Sequence, residues 1–196
     1  MCNFSEDNKQ KLGYAIIYIA ERTKRLSKTK LLKLLFIMEE TMVKKFRTPF
    51  LSIPYEVWQA GPVPKDLFID LSDGPFILRD YVATYTAKNC TYIQAKKPFM
   101  DDEFSDCEIE MMNDVLKKYG NKTAKELVNE LHKEGSLWWN TANKNNLLDS
   151  FNQGLSNNSD VQIDFSDALV DKEKDEYRDS LAIHQTANFL KAKGSV

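Results

Sequence analysis

Four of the six prolines, Pro49, Pro54, Pro62 and Pro64, fall in one short stretch of this 196-residue chain. Proline lacks a backbone N–H and clashes with the turn before it, so no helix runs through this stretch. Helices must end before it, and residues 50–60 must form a loop and then a short extended segment. Residues 56–68 read EVWQAGPVPKDLF. An apolar run containing Trp58 halts at Gly61-Pro62. Pro64 suits the first turn of a new helix, where its missing N–H is not needed. Glycine tolerates an unusual φ and proline fixes the next one, so the stretch predicts a structural joint that turns at Gly61-Pro62. A phosphate-cradling loop is a poorer reading, because prolines 62 and 64 remove two of the N–H donors it would use.

Helical periodicity lies on both sides of the joint. Leu12, Ala15, Ile16, Ile19 and Ala20 share one face over residues 9–23. Ser27 can cap a second helix, in which Leu31, Leu34, Leu35, Met38, Met42 and Phe46 form a stripe. The helix restarting at Pro64 should stop near Leu71, before Asp73-Gly74-Pro75. Tyr81, Val82, Tyr85, Tyr92 and Ile93 are strand formers, and Lys88-Asn89 between them predicts a β-hairpin within residues 77–97. Ser105 with Glu108, and Thr123 with Glu126, are capping-box pairs opening two more helices, which end at Gly120 and Gly135. Ser136 can cap a turn holding Leu137, Trp138 and Trp139. Residues 140–160 read as a long Asn/Ser-rich loop, and residues 166–193 as a C-terminal helical segment. The expected fold is mainly α (α+β): one domain over 1–196, a compact helical body with a small β-hairpin or short β element.

Composition narrows the function classes. The formal net charge is −2 and the pI about 5.8, which gives no global basic field for nucleic acid. The polar N-terminus lacks a signal-peptide core, and no apolar run reaches membrane-span length, so a cytoplasmic protein without a membrane partner is expected. Cys2, Cys90 and Cys107 form neither a disulfide framework nor a metal knuckle. His132 and His184 are the two histidines, and neither sits in a metal-ligand or nucleophile motif. The reading is therefore of no catalytic residue, no metal and no cofactor: not an enzyme. His132 caps a helix end or fills a polar niche. An enzyme would need it to meet a carboxylate or thiol in a cleft.

Two features suit partner contact. Lys24, Arg25, Lys28 and Lys30 form a local basic run, which fits a solvated helix face, an acidic protein surface or DNA. Trp138 and Trp139 point about 100° apart on a helix. Either both pack internally or one anchors a partner, Trp139 being the candidate.

Three ordered stretches carry a resemblance: Leu31-Leu32-Lys33-Leu34-Leu35-Phe36, Tyr55 through Pro64, and Glu108 through Trp138 with its Leu131-His132 and Ser136-Leu137-Trp138 elements. Over about residues 9–140 the chain resembles the Panacea domain, the SocA-like antitoxin family often described as phage-associated and bacterial. The resemblance implies a mainly helical domain with a small β element. It also implies a toxin–antitoxin role, in which the domain binds a cognate toxin encoded nearby and neutralises it, directly or as an adaptor to a protease. The alternative is a nucleic-acid-binding regulator of a mobile-element operon. Matching the family motif are Lys33, Trp58, Gly61, Pro62, Val63, His132 and Trp138, assigned mainly to the fold. Partner-binding candidates are Lys24, Arg25, Lys28, Lys30, Tyr85, Tyr92 and Trp139.

Overall fold

The computed structural model describes residues 6–192. Helix α1 (Glu6–Arg22) and helix α2 (Lys28–Phe46) are joined by a tight loop. Two short strands follow, β1 (Glu56–Trp58) and β2 (Gly61–Val63), then α3 (Lys65–Asp70). Strands β3 (Val82–Ala87) and β4 (Cys90–Ala95) make the second hairpin. The rest is α4 (Asp106–Tyr119), α5 (Ala124–Leu131), α6 (Leu137–Lys144), α7 (Leu147–Asn152), a 3-10 turn (Phe165–Ala168) and α8 (Asp171–Ala192). The architecture is mainly α with two small antiparallel sheets, each of two strands. Cys2 lies outside the described residues. Among the described residues no helix is long and apolar enough to cross a membrane.

Helix α2 is the centre of the molecule. Leu31, Leu32, Leu34, Leu35, Phe36, Met38, Met42 and Val43 are all buried, so this helix is apolar on nearly every side. It packs against α4, α5, β2, β4 and the 3-10 turn. Each such side chain contributes roughly 1.5–3 kcal/mol on burial. Ser27 caps the helix by accepting the Lys30 N–H, as its position predicts.

The β3–β4 hairpin turns at Lys88-Asn89, both with positive φ, as a two-residue hairpin loop requires. Thr123 and Glu126 form the expected reciprocal cap. Helix α3 ends at Asp70, whose carboxylate accepts the N–H groups of Phe76, Ile77 and Leu78 and so closes the following loop.

Helix α5 ends at Leu131, four residues before Gly135, and two further expectations differ from the structure. The chain does not reverse at Gly61-Pro62. Gln59-Ala60 makes the turn, and Gly61-Pro62-Val63 is strand β2, with Trp58 opposite Gly61. Residues 140–160 are also more ordered than an Asn/Ser-rich loop suggests. Helix α6 continues to Lys144, Leu147 opens α7, and the remainder runs along β1. There Val57 donates to the Val161 carbonyl and Gln59 to that of Asn157. Phe151 and the backbone of a neighbouring strand supply what the polar side chains do not.

Candidate functional site

The residues shared with the family motif converge around the first hairpin. Lys33, on α2, is 1% exposed, and its Nζ donates to the Pro62 carbonyl at 2.7 Å. Gly61 has φ +93°, a conformation that disfavours any side chain. A Cβ there would stand 3.1 Å from Lys33 Cε and 3.6 Å from His132 Nε2. Glycine is thus required twice, by backbone conformation and by close approach. His132 ends α5, and its ring lies parallel to the Trp138 indole, 3.8 Å between centroids and 4° between planes. Trp138 Nε1 donates to the Trp58 carbonyl at 3.1 Å. Trp58 Nε1 donates to Glu56, and its ring meets Phe68 edge-on. Val63 is buried at the end of β2.

The electrostatics of this cluster are unusual. Burial pulls the Lys33 amine from its ordinary 10.5 down to about 7. Its hydrogen-bond partner among the described residues is a neutral carbonyl. Burial, and then the Lys33 charge, lower His132 to about 4. His132 Nε2 is buried without a hydrogen-bond partner among the described residues. The imidazole therefore meets an amine and an indole here. The Lys33 and Trp138 donors go to backbone carbonyls, and their effect is to fix the β1–β2 hairpin against α2 and α6.

The partner candidates divide into three groups. Arg25, Tyr92 and Tyr85 come together. Arg25 adopts a left-handed backbone conformation, donates to Tyr92 Oη at 3.3 Å and lies over that ring, which stacks on Tyr85 at 5.4 Å. They border a hollow of about 550 Å³ that Arg25, Thr23 and Tyr85 help to line, with exposed Lys24 adjacent in sequence. Lys28 instead donates to Ser72 Oγ and lies 3.8 Å over the Phe68 ring. Lys30 is buried, with its ammonium on the Gly120 carbonyl. The basic run is thus not one surface. Trp139 is half-buried and lines a separate hollow of about 390 Å³ with His132, Trp138 and Phe151.

Glu39 was not among the candidate site residues read from the sequence. It is 1% exposed, and its carboxylate accepts the N–H groups of Phe50 and Leu51. The available signal was its position: it follows Leu35 by four residues, inside the apolar stripe, where an acid needs a partner.

No curated protein and no solved structure matches the chain. The family model described as antitoxin SocA-like, Panacea domain, matches residues 31–139. That span holds Lys33, the Gly61-Pro62-Val63 strand, His132 and Trp138, which the fold brings into one cluster. The chain belongs to the SocA-like antitoxin, Panacea domain family.

Proposed function

We propose that this protein is an antitoxin-type binding module that neutralises a cognate toxin encoded nearby by forming a complex with it. The family match over residues 31–139 carries this reading. Holding the toxin inactive and delivering it to a protease both begin with that complex. The contact surface we favour is the Arg25–Tyr92–Tyr85 cluster. Arginine and tyrosine are enriched among residues that dominate binding energy, and Tyr85 is 47% exposed. The module acts by binding, without a catalytic step. A DNA-reading role has less support, because Lys28 and Lys30 are turned to contacts within the fold rather than presented along a helix.

The test is co-expression with each neighbouring reading frame, scoring growth. A frame that is toxic alone and harmless with this protein is expected. Arg25→Ala with Tyr85→Ala should then abolish rescue while the thermal melt stays parental. If no neighbour is toxic, the antitoxin reading fails. If rescue survives the double substitution, the contact surface lies elsewhere.

A further inference from the structure

A third hollow, of about 480 Å³, is lined by residues of α2, of α8 and of the segments around 52–54 and 162–165. Its volume falls in the range of small-molecule sites. The lining carries the carboxylates of Glu39 and Asp164, the Tyr177 side chain and the amides of Gln162 and Gln185, while no lysine, arginine or histidine lines it among the described residues. Asp164 stands at the exposed rim and accepts the Ser166 N–H with one oxygen.

Glu39 is the buried end of this hollow. Its oxygens accept N–H groups from Phe50 at 2.9 Å and Leu51 at 2.8 Å, and the Ser52 N–H is a third donor. A carboxylate offers about four acceptor positions, so room remains for one more donor. The Lys11 ammonium, paired with Glu108 at 2.5 Å, also acts on Glu39 through its field.

One tyrosine adds a further polar group to the lining. Tyr177 lines the hollow at 5% exposure, and its hydroxyl makes no hydrogen bond among the described residues. Burial raises its pKa, and next the fields of Glu39 and Asp164 do so. The Tyr177 hydroxyl, the rim carboxylate of Asp164 and the Glu39 carboxyl, which burial pushes above the usual carboxylate range against its N–H donors, face one hollow.

We propose that this hollow binds a small organic cation, an alkylguanidinium or alkylammonium, on Glu39, Asp164 and Tyr177. A guanidinium presents several donors in a planar fork suited to carboxylates and hydroxyl oxygens. A metal ion fits less well, since the described residues gather no group of three metal-ligating side chains. Asp164, Tyr177 and α8 lie beyond the family match at residues 31–139, so the site is built jointly by the family domain and the chain's own C-terminal helix.

The experiment titrates n-butylguanidinium into the full chain and follows backbone amide shifts, with neutral n-butylurea as control. Saturable shifts at Ser52, Gln162 and Tyr177 are expected, with the urea at least about tenfold weaker. Tyr177→Phe should weaken binding about fivefold and Asp164→Asn about threefold, both with parental melts. Glu39 is left intact because it holds the 50–52 backbone. Equal binding of urea and guanidinium, shifts confined to other regions, or parental affinity in both variants would overturn the proposal. A blocked Ala-Arg-Ala peptide separates the sources. Binding as tight as butylguanidinium identifies an arginine presented by a protein, and exclusion of the peptide identifies a free cation.

Discussion

Replacing Lys33 with Met should remove one pH-dependent part of the stability, that of the buried amine. Buried Lys33 titrates at about 7 in the folded chain, against an ordinary 10.5. Above 10.5 neither state holds the proton. Between 10.5 and 7 the unfolded chain binds it and the folded chain does not, so stability falls as pH falls. Below 7 both hold it and the slope vanishes. The full difference is about 5 kcal/mol, and the part gained between pH 7 and pH 9.5 is about 3 kcal/mol. Lys33→Met removes this term and also the 2.7 Å bond to the Pro62 carbonyl, leaving a buried acceptor at a cost of about 1–3 kcal/mol. The variant should therefore be near parental, or more stable, at pH 7 and less stable than the parent at pH 9.5. Urea unfolding of both proteins at half-unit pH steps measures this, with other titrating groups cancelling in the difference. A parent-minus-variant difference that is constant within about 1 kcal/mol over that range would refute the reasoning, because Lys33 would then hold its proton in the fold as readily as in water.

Three further outcomes follow from the same geometry. In an NMR titration His132 should stay neutral down to about pH 4, and Lys33→Met should raise its pKa, since the Lys33 charge is the second cause of its depression; an unchanged value would place the two groups out of reach of each other. Gly61→Val should lower stability by about 3 kcal/mol, through positive φ and the Lys33 contact together, and coincident melts of variant and parent would contradict it. Gly13→Ala sits mid-helix, where alanine normally gains up to about 1 kcal/mol, yet its Cβ would stand 2.4 Å from Tyr81 Cγ, so a net loss of about 1–2 kcal/mol in urea unfolding is expected and a stabilised variant would show that the ring moves aside.

The elements with local chemistry were legible in the sequence. Capping pairs opened helices where they stood, and Lys88-Asn89 placed the hairpin turn, because each signal is written within four residues. The first hairpin was harder. Gln59-Ala60 carries no strong turn signature, whereas Gly61-Pro62 beside it does, and the glycine serves a close approach rather than the reversal. Residues 140–160 were misread for a related reason. Their Asn and Ser content hid Leu147 and Phe151, and backbone pairing with β1 is invisible in side-chain composition. The charged residues of α2 were the least legible. Periodicity reads Lys30, Lys33 and Glu39 as solvent-facing, but over residues 30–39 the helix is buried at every position and has no such face.

That enclosure explains why the motif residues act as a set. A hairpin of two three-residue strands has no stability of its own in water. It is held here by Lys33 on the Pro62 carbonyl, by Trp138 on the Trp58 carbonyl and by the parallel His132 ring. Removing any one leaves a buried polar group or a void against the others, so a substitution at one position penalises its partners. Arg25, Tyr85 and Tyr92 touch one another at the surface, and none of them lies in that network. They can change without loosening the hairpin. A scaffold that separates the two sets can vary its surface while keeping its fold.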